Sequence, residues 1–151
     1  MNRVTLALVT RSNWPAAWQL AVHPDQQRFL TERTPVVALL LTKTSVGAMG
    51  FKWMPYLFAV QGEIVGAAAW AAHEEVYWLM HFFIDARYQR NGYGREALAR
   101  LIEEAQQSSH GHTLQLTVHP ENIVAQQLYA SMGFHPTGEW LNGEPVYQRP
   151  I

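Results

Sequence analysis

Hydrophobic and polar positions follow recognisable periods along most of the chain. Positions 3–9 alternate as a strand does. Ser12-Asn13 offers an N-cap for Trp14-Pro15-Ala16-Ala17-Trp18, which begins a short helix, and a second helix is expected over 24–30. Residues 34–50 mix helix formers with β-branched residues, Gly47 and Gly50, so their period assigns no element. Two apolar runs, 56–60 and 64–72, flank Gln61-Gly62-Glu63 and predict a hairpin. Residues 75–84 are apolar on both parities, as a central strand buried on both faces would be. Leu98, Leu101, Ile102 and Ala105 trace one face of a helix over 92–107. After an alternating strand at 113–118, Val124, Ala125, Leu128, Tyr129 and Met132 stripe another helix, which Asn122 can cap and Gly133 can end. Residues 134–141 and 145–148 read as closing strands around Asn142-Gly143. The order β-α-α-β-β-β-α-β-α-β-β predicts a mixed α/β domain.

Composition narrows the function classes. A length of 151 residues with 48% hydrophobic content suits one domain over 1–151 with a sizeable core. Eleven Lys and Arg against twelve Asp and Glu argue against a protein held on nucleic acid by phosphate contacts. The absence of cysteine removes disulfides, thiolate metal sites and thiol nucleophiles. The longest apolar stretch, 35–41, is too short to cross a bilayer, and a soluble cytoplasmic protein without membrane partners is expected. His110-Gly111-His112 has no third ligand at local spacing, so no metal is expected.

The most informative segment is Ile84-Asp85-Ala86-Arg87-Tyr88-Gln89-Arg90-Asn91-Gly92-Tyr93-Gly94-Arg95. A buried strand enters a polar loop, and two glycines open an amphipathic helix. Glycines there let backbone N–H groups approach a ligand, and a helix N-terminus favours negative charge. Arg90 and Arg95 add positive charge, so a diphosphate is the sensible guest, although a ligand-free tight turn would look the same. The segment lacks the Gly-Lys-Ser/Thr of a Walker loop and the third glycine of a dinucleotide fingerprint.

Gln89-Arg90-Asn91-Gly92-Tyr93-Gly94 resembles the Gln/Arg-x-x-Gly-x-Gly/Ala signature of the GNAT superfamily of N-acetyltransferases. The block from Asn122 through Ala125, Leu128-Tyr129 and Gly133-Phe134 resembles that family's Asn-x-x-Ala-x-x-Leu-Tyr-x-x-x-Gly-Phe. The resemblance is strongest over 77–144. Val4-Thr5-Leu6, Asn13-Trp14, the stretch 24–29, the strand 77–85, Thr137-Gly138-Glu139 and Gly143-Glu144 look like bacterial diamine or spermine/spermidine acetyltransferases, although His81 stands where that subgroup more often has Arg. The resemblance implies an α+β fold with a central mixed, mostly antiparallel sheet flanked by helices. It also implies acetyl-CoA as co-substrate, direct transfer to a small-molecule amine without metal, and a homodimer.

By the same resemblance the diphosphate would sit on Gln89, Arg90, Asn91, Gly92, Tyr93, Gly94 and Arg95, and the pantetheine arm would pair with the strand at Phe82, Phe83 and Ile84. Asn122 would bond the pantetheine, serve as a plain N-cap, or do both. Tyr129, two helical turns from Asn122, would protonate the departing thiolate; the alternative is a core tyrosine. For the base, Glu75, Tyr77, Leu79 and His81 share a parity unless a bulge intervenes, which nominates Glu75 or His81. Asp25, Glu32 and Trp14 are candidates for the acceptor side, and Glu139 and Glu144 for a cationic tail. Transfer to an amino acid, an antibiotic or a protein N-terminus, and a non-catalytic acyl-CoA sensor, are the competing readings.

Overall fold

The computed structural model describes residues 3–30, 35–108 and 113–151. Seven strands form one sheet: β1 (Val4–Ala7), β2 (Lys52–Val60), β3 (Glu63–His73), β4 (Val76–Ile84), β5 (Thr113–Thr117), β6 (His135–Leu141) and β7 (Glu144–Pro150), in the order β1-β2-β3-β4-β5-β7-β6. Helices α1 (Trp14–Trp18), α2 (Val36–Val46), α3 (Tyr93–Ser108) and α4 (Ile123–Ser131) cover it. All neighbouring strands are antiparallel except β4 and β5, which α3 joins as a parallel crossover. The α+β class and the mixed, mostly antiparallel sheet are as the sequence led us to expect.

The sheet is buried on both faces around its centre, which explains the unbroken apolar runs of β3 and β4. On one face Val65, Trp70, Tyr77, Leu79 and Ile84 pack with Leu98, Leu101 and Ile102 of α3 and with Tyr129 of α4. Trp70 Nε1 donates to the Leu101 carbonyl, fixing α3 to β3. On the other face Ala67, Ala69, Ala71 and Phe83 pack with Trp53, Leu57, Ala17 of α1 and Val37 and Leu40 of α2.

Several elements differ from the sequence reading. The second helix is a 3-10 segment, Pro24–Phe29. Asn13 precedes α1 but does not cap it with its side chain; Oδ1 accepts from Thr10 N–H and Nδ2 donates to the Leu8 carbonyl, closing the loop and ending β1 at Ala7. The unassigned stretch contains α2. Its Thr42 and Thr44 hydroxyls donate to the carbonyls of Ala38 and Leu40, and Gly47 at φ +58 terminates it. Strand β2 starts at Lys52 rather than at residue 56, running through Pro55. That proline is tolerated because β1 pairs only with residues 57–60 and leaves Pro55 without a partner on that edge.

Candidate active site

Strand β4 is kinked by a bulge. Ala67 pairs with Phe83 and Ala69 with Met80, so Ala68 faces two residues, His81 and Phe82, and His81 takes φ +54. Just past the bulge, a Cβ on Gly66 would collide with the Phe83 carbonyl oxygen, so only glycine lets β3 lie this close. The bulge overturns the expected shared face. Tyr77 and Leu79 point towards α3, but His81 points towards α2, stacked on Trp53 at 6.4 Å. Its Nε2 lies 2.8 Å from Lys43 Nζ. Burial and the Lys43 charge push the imidazole down to about 4, so it is neutral at pH 7, with its free lone pair already facing an ammonium. Glu75 lies exposed in the turn before β4, ~20 Å of extended chain from the bulge. The structure does not bring either nominated base together with Tyr129.

Beyond the bulge the sheet opens. Strands β4 and β5 are in register only from Val76 opposite Thr113 to Trp78 opposite Gln115. Residues 79–84 therefore present a bare backbone edge towards a gap, which is where Phe82, Phe83 and Ile84 were expected to receive an extended ligand. The segment Pro24–Phe29 spans the open end of this gap. Gln26 exchanges amide hydrogen bonds with Gln89 on the β4 side, while Arg28 pairs with Glu121 and Phe29 meets His119 (ring centroids 5.1 Å apart) on the β5 side.

The loop after β4 is held from below. Asp85, only 2% exposed, accepts from the backbone N–H groups of Ala21 and Arg87 and from the Arg87 guanidinium. Burial alone would raise its carboxyl, but these hydrogen bonds outweigh burial and hold it below the usual carboxylate range. Gln89 Nε2 also donates to the Ile84 carbonyl, and Asn91 Nδ2 donates to the carbonyls of Tyr88 and Gln89. These two side chains shape the loop. Arg90 at φ +65 and Gly92 at φ +79 then turn the backbone into α3, whose first turn leaves the N–H groups of Tyr93, Gly94 and Arg95 without helical acceptors. Tyr93 lies under the Arg3 guanidinium at 4.7 Å. A Cβ on Gly94 would meet Ile84 and Leu128 no closer than 3.8 Å, so the fold itself does not demand glycine there. Arg95 is not free for a ligand: it reaches the Ser131 hydroxyl at 2.6 Å and ties α3 to α4. Bare N–H groups, a missing side chain and exposed Arg90 fit an anionic diphosphate.

Asn122 caps α4, its Oδ1 accepting from Ala125 N–H at 3.3 Å. Two turns on, Tyr129 is buried between Phe82 and Phe134, with ring centroids at 6.3 and 6.0 Å. Its hydroxyl has no hydrogen-bond partner among the described residues. Burial, then the Glu144 carboxylate, push its pKa well above the ordinary phenol value, which keeps the proton available. Glu144 itself accepts from the Thr117 hydroxyl at 2.9 Å. Trp14, Asp25 and Glu139 are exposed; Glu32 and the pair His110 and His112 lie outside the described residues. Gly66, Lys43 and Thr117 were not singled out from sequence. Of these only Gly66 left a trace, as a glycine inside an apolar strand run.

A family model described as "Acetyltransferase (GNAT) family" matches residues 11–134, and the chain belongs to that family. Within it, the spermine/spermidine N(1)-acetyltransferase of Bacillus subtilis is 35% identical over 100 residues, 60% of this chain and 66% of that protein. The match thus spans just under two thirds of that relative's length. The ribosomal protein bS18-alanine N-acetyltransferase of Salmonella typhimurium is 26% identical over 144 residues, 95% of this chain and 89% of that one. Among solved structures, the Salmonella typhimurium acetyl transferase that modifies the N-terminal serine of ribosomal protein L7/L12 superposes with a TM-score of 0.75 at 19% identity, covering 100% of this chain and 96% of that one. The PaiA N-acetyltransferase of Thermoplasma acidophilum in complex with coenzyme A gives 0.72 at 9% identity, covering 98% and 99%. These likenesses bear on the fold, which is that of the GNAT family.

Proposed function

We propose that this protein transfers the acetyl group of acetyl-CoA directly to a primary amine of a small molecule of the diamine or polyamine class. The observation that carries the transfer chemistry is the placement of the Tyr129 phenol against Phe82, beside the bare edge of β4. A thioester laid along that edge, with its diphosphate on the Gly92-Gly94 turn, would bring its sulfur towards a protonated hydroxyl. The polyamine class is supported by the 35% identity to the Bacillus subtilis enzyme. A second reading, acetylation of a protein N-terminus, is favoured by the match to the alanine N-acetyltransferase across 95% of this chain.

Release of free thiol from acetyl-CoA, measured with putrescine, spermidine, spermine and peptides beginning with Ala or Ser, tests the proposal. Amine-dependent release is expected, faster with the polyamines. The reverse ranking selects the second reading. Coenzyme binding with no amine-dependent release across the panel replaces the enzyme with an acyl-CoA sensor.

A further inference from the structure

We propose that Glu144 takes the proton of the attacking amine, so that the carboxylate at the start of β7 and the phenol of Tyr129 act as base and acid on one thioester. The inference rests on the acetyltransferase reading above. An alkylamine with a pKa of ~10 arrives as an ammonium ion, and only its neutral form attacks a carbonyl carbon. A proton acceptor is therefore needed at the gap between β4 and β5, and neither Glu75 nor His81 stands there to serve.

Several carboxylates are already committed to arginines. Asp85, Glu96, Glu103 and Glu121 are each paired with an arginine. Glu144 has no ion-pair partner among the described residues; its one hydrogen bond comes from a neutral donor, the Thr117 hydroxyl. That bond fixes one oxygen and leaves the other available to an ammonium.

The placement is specific. Gln115 lies opposite Trp78, the last registered pair, so Thr117, two residues further along parallel β5, lies where the gap opens towards the bulge. Tyr129 touches Phe82, on the other side of the same bulge. Among the described residues, the Glu144 carboxylate, after burial, is also what raises the Tyr129 phenol. Acid and base therefore both lie where the gap opens beside the bulge.

The chemistry balances with these two groups. The ammonium gives one proton to Glu144, and the freed nitrogen lone pair forms the N–C bond. The C–S bond breaks, the sulfur takes the Tyr129 proton, and Tyr129 regains one from the newly acylated nitrogen. The products are the amide, the free thiol and one proton on Glu144, which passes to water.

The test compares wild type, Glu144→Gln and Thr117→Val with acetyl-CoA and either spermidine or an alanine-terminated tripeptide amide. Glu144→Gln keeps size and the Thr117 hydrogen bond. With spermidine its kcat/KM at pH 7.5 is expected to fall ~100-fold or more, and the deficit should shrink about tenfold per pH unit towards the amine's pKa of ~10, because the neutral amine then arrives without help. With the tripeptide, whose α-amino pKa is ~8, the deficit at pH 7.5 should be much smaller and vanish above that pH. Thr117→Val should show a smaller loss with the same pH trend. Unchanged kcat/KM in Glu144→Gln, or a loss equal at every pH, overturns the assignment. Amine binding to coenzyme-free protein, followed by NMR, gives a readout independent of turnover. Weaker binding in Glu144→Gln supports the site, whereas equal binding, or none by wild type, overturns it. Failure of wild type to bind coenzyme A would instead strike the acetyltransferase reading.

Discussion

The ring of Tyr129 stands edge-on to that of Phe82, centroids 6.3 Å apart and planes at 61°. Phe82 is the residue that the bulge turns back towards α3, so this contact locks helix α4 to the strand at the point where the backbone is bent. An aromatic pair of this kind contributes ~1 kcal/mol beyond its buried area. It also removes the freedom of the phenol to swing, as the proposed acid, which would have to meet one sulfur atom, requires.

Tyr129→Phe keeps the ring and both aromatic contacts and deletes only the hydroxyl. Turnover is expected to fall by a factor of ~10 to 1,000, with coenzyme A affinity within about twofold of wild type. Steady-state kinetics paired with calorimetric binding measures both quantities. Unchanged turnover would remove the phenol from the reaction.

Gly94→Ala separates fold from ligand. The new methyl fits against Ile84 and Leu128, and helix propensity favours alanine by up to ~1 kcal/mol, so the melting temperature should hold or rise. Coenzyme A affinity should nonetheless drop about tenfold or more if the diphosphate lies against that backbone. Gly66→Ala is the opposite case: its Cβ strikes the Phe83 carbonyl and should cost ~1–3 kcal/mol of stability before any ligand is added.

His81 makes stability depend on pH in a defined window. Its folded-state pKa of about 4 lies below the unfolded value of 6.5, so between these values the unfolded chain binds the extra proton. Stability is full above pH 6.5 and declines towards pH 4, by up to ~3 kcal/mol. Asparagine tolerates φ > 0 and does not titrate, so His81→Asn should flatten this limb in urea denaturation series at stepped pH. An unaltered pH dependence in the variant would place its source elsewhere.

Asp85 acts at lower pH. Its depressed pKa gives stability that is present above the unfolded carboxyl value near 4 and disappears as pH falls through the folded value. Asp85→Asn substitutes a donor where Ala21 N–H and Arg87 also donate, and should cost ~2 kcal/mol at pH 7. Thermal melts at pH 7 and pH 3 should differ less in the variant than in wild type.

The sequence disclosed those parts of the fold whose cause is local. Leu98, Leu101, Ile102 and Ala105 face one way because a helix turns every 3.6 residues, and Asn122 caps because its side chain reaches its own helix. The Gly92-Gly94 turn was visible because φ > 0 at Gly92 is a requirement of the backbone. What escaped was set by contacts distant in sequence. The direction of His81 depends on one extra residue in β4 opposite Ala68, which no period reveals. Helix α2 was hidden because Thr42 and Thr44 satisfy their hydroxyls within the helix. Thr117 and Glu144 meet only because β7 lies beside β5, so their association was not readable from either segment.

The three registered pairs between β4 and β5 make the middle of the sheet its narrowest join, with a half-sheet on each side. A guest lying along the exposed ladder, as proposed, would work as a keystone between halves that share there three registered pairs, the α3 crossover and the Pro24–Phe29 segment. At a hundredfold excess over its Kd such a guest adds ~2.7 kcal/mol against unfolding. On the proposed reading, the survival of the folded molecule is thereby tied to the supply of the compound it would consume.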